Sequence, residues 1–175
     1  MKPTSFRSAY AERADAFEKG FARKAAEKAN VDFVRYCDEI IADLRNEQRC
    51  LDLMFRHFDK VGLGAVFGHK SSKQWALILQ DASHPGQFRY QLFGIHGWIT
   101  HFTCTTPEEV IYEACEAGCC FPVDAAILDA LATTRDWRWG MERLDVITRM
   151  NNGQLSHEAA HECFMSLEAK YSLVA

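Results

Sequence analysis

The chain opens on two stretches in which apolar residues recur at helical spacing. Phe6, Tyr10, Phe17 and Phe21 fall 4, 7 and 4 residues apart in a background of Ala, Glu, Lys and Arg, which aligns them along one face of an amphipathic helix. Asn30, a good capping residue, predicts a break. Beyond it Val34, Cys37, Ile41, Leu44, Leu51, Met54, Phe55 and Phe58 carry the same period to about Asp59. Charges of both signs fill the remaining positions, so residues 1–60 predict an antiparallel helical hairpin.

Near residue 60 the pattern changes. Residues 61–68 are apolar and glycine-rich, and after the turn-like HKSSKQ come three runs, 75–80, 88–93 and 98–104, bounded by DASHPG and GIHG. In the third run Trp98, Thr100, Phe102 and Cys104 alternate with Ile99, His101 and Thr103, the period of a strand with one covered face. The segment predicts an antiparallel meander.

Helical spacing then returns and persists to the end. Thr106 followed by Pro107, Glu108 and Glu109 is a start signal: Thr caps, Pro suits the first turn, and Glu at the third position closes a capping box. The predicted helix runs over 107–117 and stops at Gly118. Further helices are expected over about 124–134, with Ile127, Leu128 and Leu131 inward, and about 136–150, with Trp137, Met141, Leu144 and Ile147 inward. Asn151, Asn152 and Gly153 end the latter, and the last helix spans Ser156 to about Tyr171. The expected fold is a single α+β domain over 1–175: a helical hairpin (1–60), a three- or four-stranded antiparallel sheet (61–104) and four C-terminal helices (105–175).

Composition narrows the class of protein. With 175 residues, 48% hydrophobic and 25% charged, the chain can bury a core without disulfide or metal staples, and disorder is excluded. No apolar run approaches the roughly 20 residues of a membrane span, and MKPTSFRSAY lacks the apolar stretch of a signal peptide. Seven cysteines, an odd number without framework spacing, fit reduced thiols, so a cytoplasmic location is expected.

Charge is unevenly distributed. Residues 1–60 hold 12 basic and 11 acidic side chains, residues 61–104 hold 3 and 1, and residues 105–175 hold 5 and 12. Between Arg89 and Arg135 there is no Lys or Arg, while Glu108, Glu109, Glu113, Glu116, Asp124 and Asp129 fall inside that gap. Direct nucleic-acid binding is excluded by this profile, because phosphate contacts need clustered cations. An acidic stretch suits a basic partner instead. Those six carboxylates are the candidate partner-binding residues, with Glu109, Glu113 and Glu116 on one face of the 107–117 helix and Val110, Ile111, Ala114 and Cys115 on the other.

The last predicted helix carries His157, Glu158, Ala159, Ala160 and His161, an HExxH pattern. Histidines four apart share a helical face and can hold one zinc, while the intervening Glu can take a proton from metal-bound water. Only 14 residues follow His161, so a third ligand must come from upstream. VGLGAVF at 61–67, EAGCCFP at 116–122 and HEAAH at 157–161 resemble, in order and spacing, the three motifs of peptide deformylases. That resemblance implies a zinc hydrolase with Cys119 or Cys120, His157 and His161 as ligands and Glu158 as general base. By period alone, Ala159, Ala160, Cys163, Phe164 and Leu167 form the inward face of this helix, leaving Glu158 outside and both histidines at the boundary. Four further histidines, at 69, 84, 96 and 101, crowd the sheet segment, and Cys115 and Cys119 are four apart without the CxxC knuckle of structural zinc.

The leading expectation is a non-enzymatic binding module or inhibitor, without cofactor, that engages a basic, nucleic-acid-handling protein or nucleoprotein complex through its acidic helical surface. Phage- and plasmid-encoded inhibitors of host defence, anti-CRISPR proteins among them, are of this type. The competing expectations are the zinc hydrolase and an accessory subunit that packs on a larger assembly through the N-terminal hairpin.

Overall fold

The computed structural model describes residues 6–25 and 31–172; the expected break at Asn30 lies outside them. Two helices come first, α1 (Phe6–Ala25) and α2 (Val31–Val61), followed by strands β1 (Val66–His69), β2 (Gln74–Gln80), β3 (Phe88–Gly94) and β4 (Gly97–Cys104). Then come α3 (Pro107–Glu116), β5 (Cys119–Val123), α4 (Ala126–Ala132), α5 (Arg135–Asn151) and α6 (His157–Ser172). The architecture is α+β, with two N-terminal helices, an antiparallel sheet and four helices after the meander.

The sheet has five strands in the order β4-β3-β2-β1-β5, one more than the hydrophobic runs predict. The additional strand is the CCFPV stretch after Gly118, which pairs antiparallel with β1 through Val66–Val123 and Phe67–Pro122. Its five residues, one of them Pro, give no alternating signal. Pro122 is tolerated because β5 is an edge strand and need not donate to a further neighbour.

Both faces of the sheet are covered, in contrast to the single covered face that alternation suggests. Successive residues Val66 and Phe67, and Ala76, Leu77 and Ile78, point alternately into two cores. One core lies under α2 and α3 and joins Leu51, Met54, Phe55, Phe67, Ile78, Tyr90, Val110, Ile111, Ala114 and Cys119. The other gathers Val66, Leu77 and Phe93 with Trp137 of α5 and the half-buried Trp75, Trp98, Ile127, Leu128 and Met141. The alternation of β4 is broken by a register shift opposite Leu92 and Phe93. Trp98 therefore packs against Trp137, their ring centroids 5.4 Å apart, while Cys104 joins the α2–α3 core. A bulge of this kind adds one residue to one strand and sends the following side chains to the opposite face.

Two glycines fix how the helices meet the sheet. Gly118 ends α3 with φ +86°, and a β-carbon there would lie 2.5 Å from Nε2 of His69, so the turn into β5 excludes any side chain. At Gly140 a β-carbon would fall 1.8 Å from the carbonyl oxygen of His96, which lets α5 settle directly on the β3–β4 turn. Helix α6 packs on α5 at the outside of this layer. Among the described residues no helix is long and apolar enough to cross a membrane.

Candidate functional site

Helix α3 starts as its sequence dictates. The Glu109 backbone N–H donates to Thr106 Oγ1 at 3.3 Å, and Thr106 N–H donates to Glu109 Oε2 at 3.2 Å, a complete capping box. The Thr105 hydroxyl donates to the same carboxylate at 2.8 Å, holding Glu109 below the usual glutamate range. Val110, Ile111 and Ala114 are fully buried against the sheet and Cys115 nearly so. The acidic positions therefore face α1, α2 and solvent.

The six candidate carboxylates do not form one surface. Glu108 accepts a hydrogen bond from Arg7 at 3.1 Å, and the same guanidinium makes two 2.8 Å bonds to Asp59 while lying 4.5 Å over the Phe55 ring. Arg7 thus ties α1, α2 and α3 together, and Glu108 belongs to that clasp. Glu109 is occupied by the cap. Asp124 accepts from the Ala126 N–H at 3.0 Å at the start of α4. Asp129, exposed on α4, belongs to the layer on the other side of the sheet. Glu113 and Glu116 remain, and among the described residues neither has a cation within ion-pair distance.

Glu116 has a different neighbour. Its carboxyl hydrogen-bonds that of Glu47, from the middle of α2; burial and then the opposing Glu116 charge push the Glu47 pKa up to about 7. Burial and the facing carboxyl together make ionising Glu47 costly. The Tyr10 hydroxyl also donates to Glu47, and Arg13 approaches it at 3.9 Å. Tyr10 and Tyr112 rings lie 4.9 Å apart beside the pair, and burial together with Glu116 raises the Tyr112 hydroxyl. The result is a cluster at the junction of α1, α2 and α3 in which Glu47, Tyr10 and Tyr112 are half-buried and Glu116 and Arg13 reach the surface. Glu47 escapes a search for motifs, yet it leaves a trace in the sequence. Between Leu44 and Leu51 it occupies a slot of the α2 stripe that the period reserves for an apolar residue.

The thiols lie in the same layer. Cys115 and Cys120 Sγ atoms are 3.8 Å apart, and burial raises the pKa of Cys50 and Cys115 and pushes Cys119 up to about 12. Such thiols stay protonated and are poor nucleophiles.

The HEAAH helix is placed elsewhere. His157, Glu158 and His161 are exposed on α6, and Ala160 is the buried residue of that helix. Cys119 is fully buried in the core beneath α2 and α3, on the opposite face of the sheet from α5 and α6. The structure does not bring the three ligands implied by the deformylase resemblance together. The sheet-segment histidines also find separate partners: His69 Nδ1 accepts from the N–H groups of Ser71 and Ser72, each at 3.0 Å, and His84 contacts Asp81. Among the described residues no three His, Cys, Asp or Glu side chains gather as a metal-holding group.

The molecule is thus an α+β protein in which a polar cluster joins an acidic helix to a helical hairpin. Set against models of protein families, against curated proteins and against solved structures, the chain matches none of them.

Proposed function

We propose that this protein is a binding module that engages a cationic partner through the acidic edge of α3, with Glu113 and Glu116 of α3 and Glu47 of α2 as the contact set. The observation that carries the reading is the Glu47–Glu116 pair, in which carboxyls from two different helices meet and Glu47 keeps its proton to an unusually high pH. An arginine or lysine brought to this edge displaces that proton and converts a repulsive pair into a charge-assisted hydrogen-bonded site. Glu113, one helical turn before Glu116, extends the negative edge.

Glu108, Glu109 and Asp124 already serve as clasp and caps, so their charge is spent within the fold and they fall outside the proposed contact set. A partner of the required type is a basic surface such as the nucleic-acid groove of a DNA- or RNA-handling complex, and the activity is its blockade, in the manner of anti-CRISPR-type inhibitors. The test is affinity capture from the source cells by the full chain, by Glu113→Gln/Glu116→Gln, and by Glu158→Gln/Glu162→Gln, which removes equal charge from α6. Basic nucleic-acid-handling proteins should be retained by the full chain and the α6 variant and lost from the α3 variant. Equal retention by all three would refute the reading.

A further inference from the structure

The two edges of the sheet are built differently. Strand β5 is five residues long and contains Pro122, and short length and proline are common means of blunting an edge against further pairing. Strand β4 has neither. It is eight residues long, GWITHFTC, with no proline and no Lys, Arg, Asp or Glu, and no strand pairs beyond it. The bulge opposite Leu92 and Phe93 lies near its start, and over residues 100–104 it keeps unbroken register with β3. Ile99, Thr100, His101 and Phe102 are exposed one after another. Since side chains of a strand alternate between faces, four in succession leave this stretch uncovered on both. The Gln91 amide donates to the Thr100 carbonyl at 3.0 Å. Beyond that, an edge strand turns alternate N–H and C=O groups outward, a ladder that another extended chain completes.

The two faces beside this edge differ in charge. On the α3 side Phe102 stands opposite Tyr90, their rings stacked with centroids 6.3 Å apart. Glu113 lies close enough to act on this corner. Burial and then the Glu113 charge raise the Tyr90 hydroxyl, and burial followed by Glu109 and Glu113 pushes the Cys104 thiol up to about 11. No Lys or Arg occurs between Arg89 and Arg135, so nothing local offsets these carboxylates. Arg89 itself stands opposite Leu79 and Thr103, on the face turned away from α3.

We propose that the cationic partner engages β4 with an extended segment that adds a strand to the sheet and sets an arginine side chain against Glu113. This rests on the reading of the α3 edge as the contact for a cationic partner and specifies the form in which that partner arrives. Backbone pairing along β4 supplies affinity. Selection comes from the α3-side positions of the added strand, where the apolar stem of an arginine covers Phe102 and its guanidinium meets Glu113. A second copy of this chain is the poorer occupant, because joining two β4 edges brings the Glu109 and Glu113 carboxylates of both copies toward each other.

The experiment titrates two short peptides into the full chain and into Glu113→Gln at low salt. One alternates Arg and Val; the other is identical but methylated at its interior backbone nitrogens, which keeps every side chain and charge and removes the donors a strand edge needs. The unmodified peptide should bind and should slow amide exchange over residues 100–104. Methylation should weaken it about 10-fold or more, and Glu113→Gln should weaken it to a similar degree. Equal binding of the two peptides, both dependent on Glu113, would overturn the added strand and leave the acidic edge of α3 as the contact. Failure of both peptides to bind would overturn both readings. Strand pairing indifferent to Glu113→Gln, exchange slowed at β5 instead of β4, or a dimer of the full chain that Phe102→Lys dissociates in sedimentation would each overturn the proposal.

Discussion

Helices α3 and α6 look alike in the sequence, each a short amphipathic helix with charged residues at chemically suggestive spacing, and they differ in what the fold puts around them. Helix α3 lies on the sheet with four nearly or fully buried residues, and its acidic side meets Arg7, Tyr10 and Glu47 from other elements. Helix α6 rests on α5 with one buried residue, Ala160, and its histidines meet solvent. Helical spacing places side chains on a common face, but a site also needs groups from elsewhere in the chain to converge on that face. The acidic helix has them and the HEAAH helix does not.

This contrast can be broken most visibly through packing. Ile111→Ala should cost about 2–5 kcal/mol in denaturant unfolding, because Ile111 is fully buried between α3 and the sheet. Phe164→Ala on the half-buried side of α6 should cost distinctly less, and comparable losses would mean that α6 is as integral to the core as α3. Next in size is the cap. Thr106→Ala removes the acceptor for the Glu109 N–H and should cost about 1 kcal/mol, with the loss seen first as faster amide exchange in the opening turn of α3.

A pH effect should follow from the carboxyl pair. Glu47 holds its proton more tightly in the folded state than in the unfolded chain, so its contribution to stability is fully present below the ordinary glutamate range and is lost as pH rises through about 7. Stability should therefore fall between about pH 4.5 and 7 from this source, and Glu116→Gln should flatten that slope. A Glu116→Gln variant with an unchanged pH profile would place the two carboxyls apart. The smallest effect is expected on α6: His161→Ala should leave zinc content, measured by mass spectrometry of the purified protein, as it was. Loss of one equivalent would restore the histidine pair to the centre of the account.

Much of this contrast was legible before the structure. The α3 capping box, the buried Val110–Ile111–Ala114–Cys115 face, the helical hairpin and the meander all follow from local chemistry and period, because those signals act over one or two turns of chain. Strand β5 was not legible, since its pairing with β1 depends on α3 carrying the chain across the sheet to the opposite edge. The bulge in β4 was equally hidden, as it depends on register with β3. At the site, the sequence pointed to the acidic helix but not to its partners. Arg7, Tyr10 and Glu47 lie 101, 102 and 69 residues from Glu108, Tyr112 and Glu116 in the chain; of the three only Tyr10 stood out, and then as part of the first apolar stripe.

The most direct test of the account compares charge removed from α3 with the same charge removed from α6. An arginine-rich peptide titrated calorimetrically into the full chain at low salt should bind, and its affinity should fall steeply as the screening length drops below about 10 Å. Glu113→Gln/Glu116→Gln should weaken that binding about 10-fold or more, while Glu158→Gln/Glu162→Gln should change it by about 2-fold or less. Equal losses from the two helices, or a larger loss from α6, would contradict the claim that the coupled carboxyls of α3 and α2 are where a cationic partner is met.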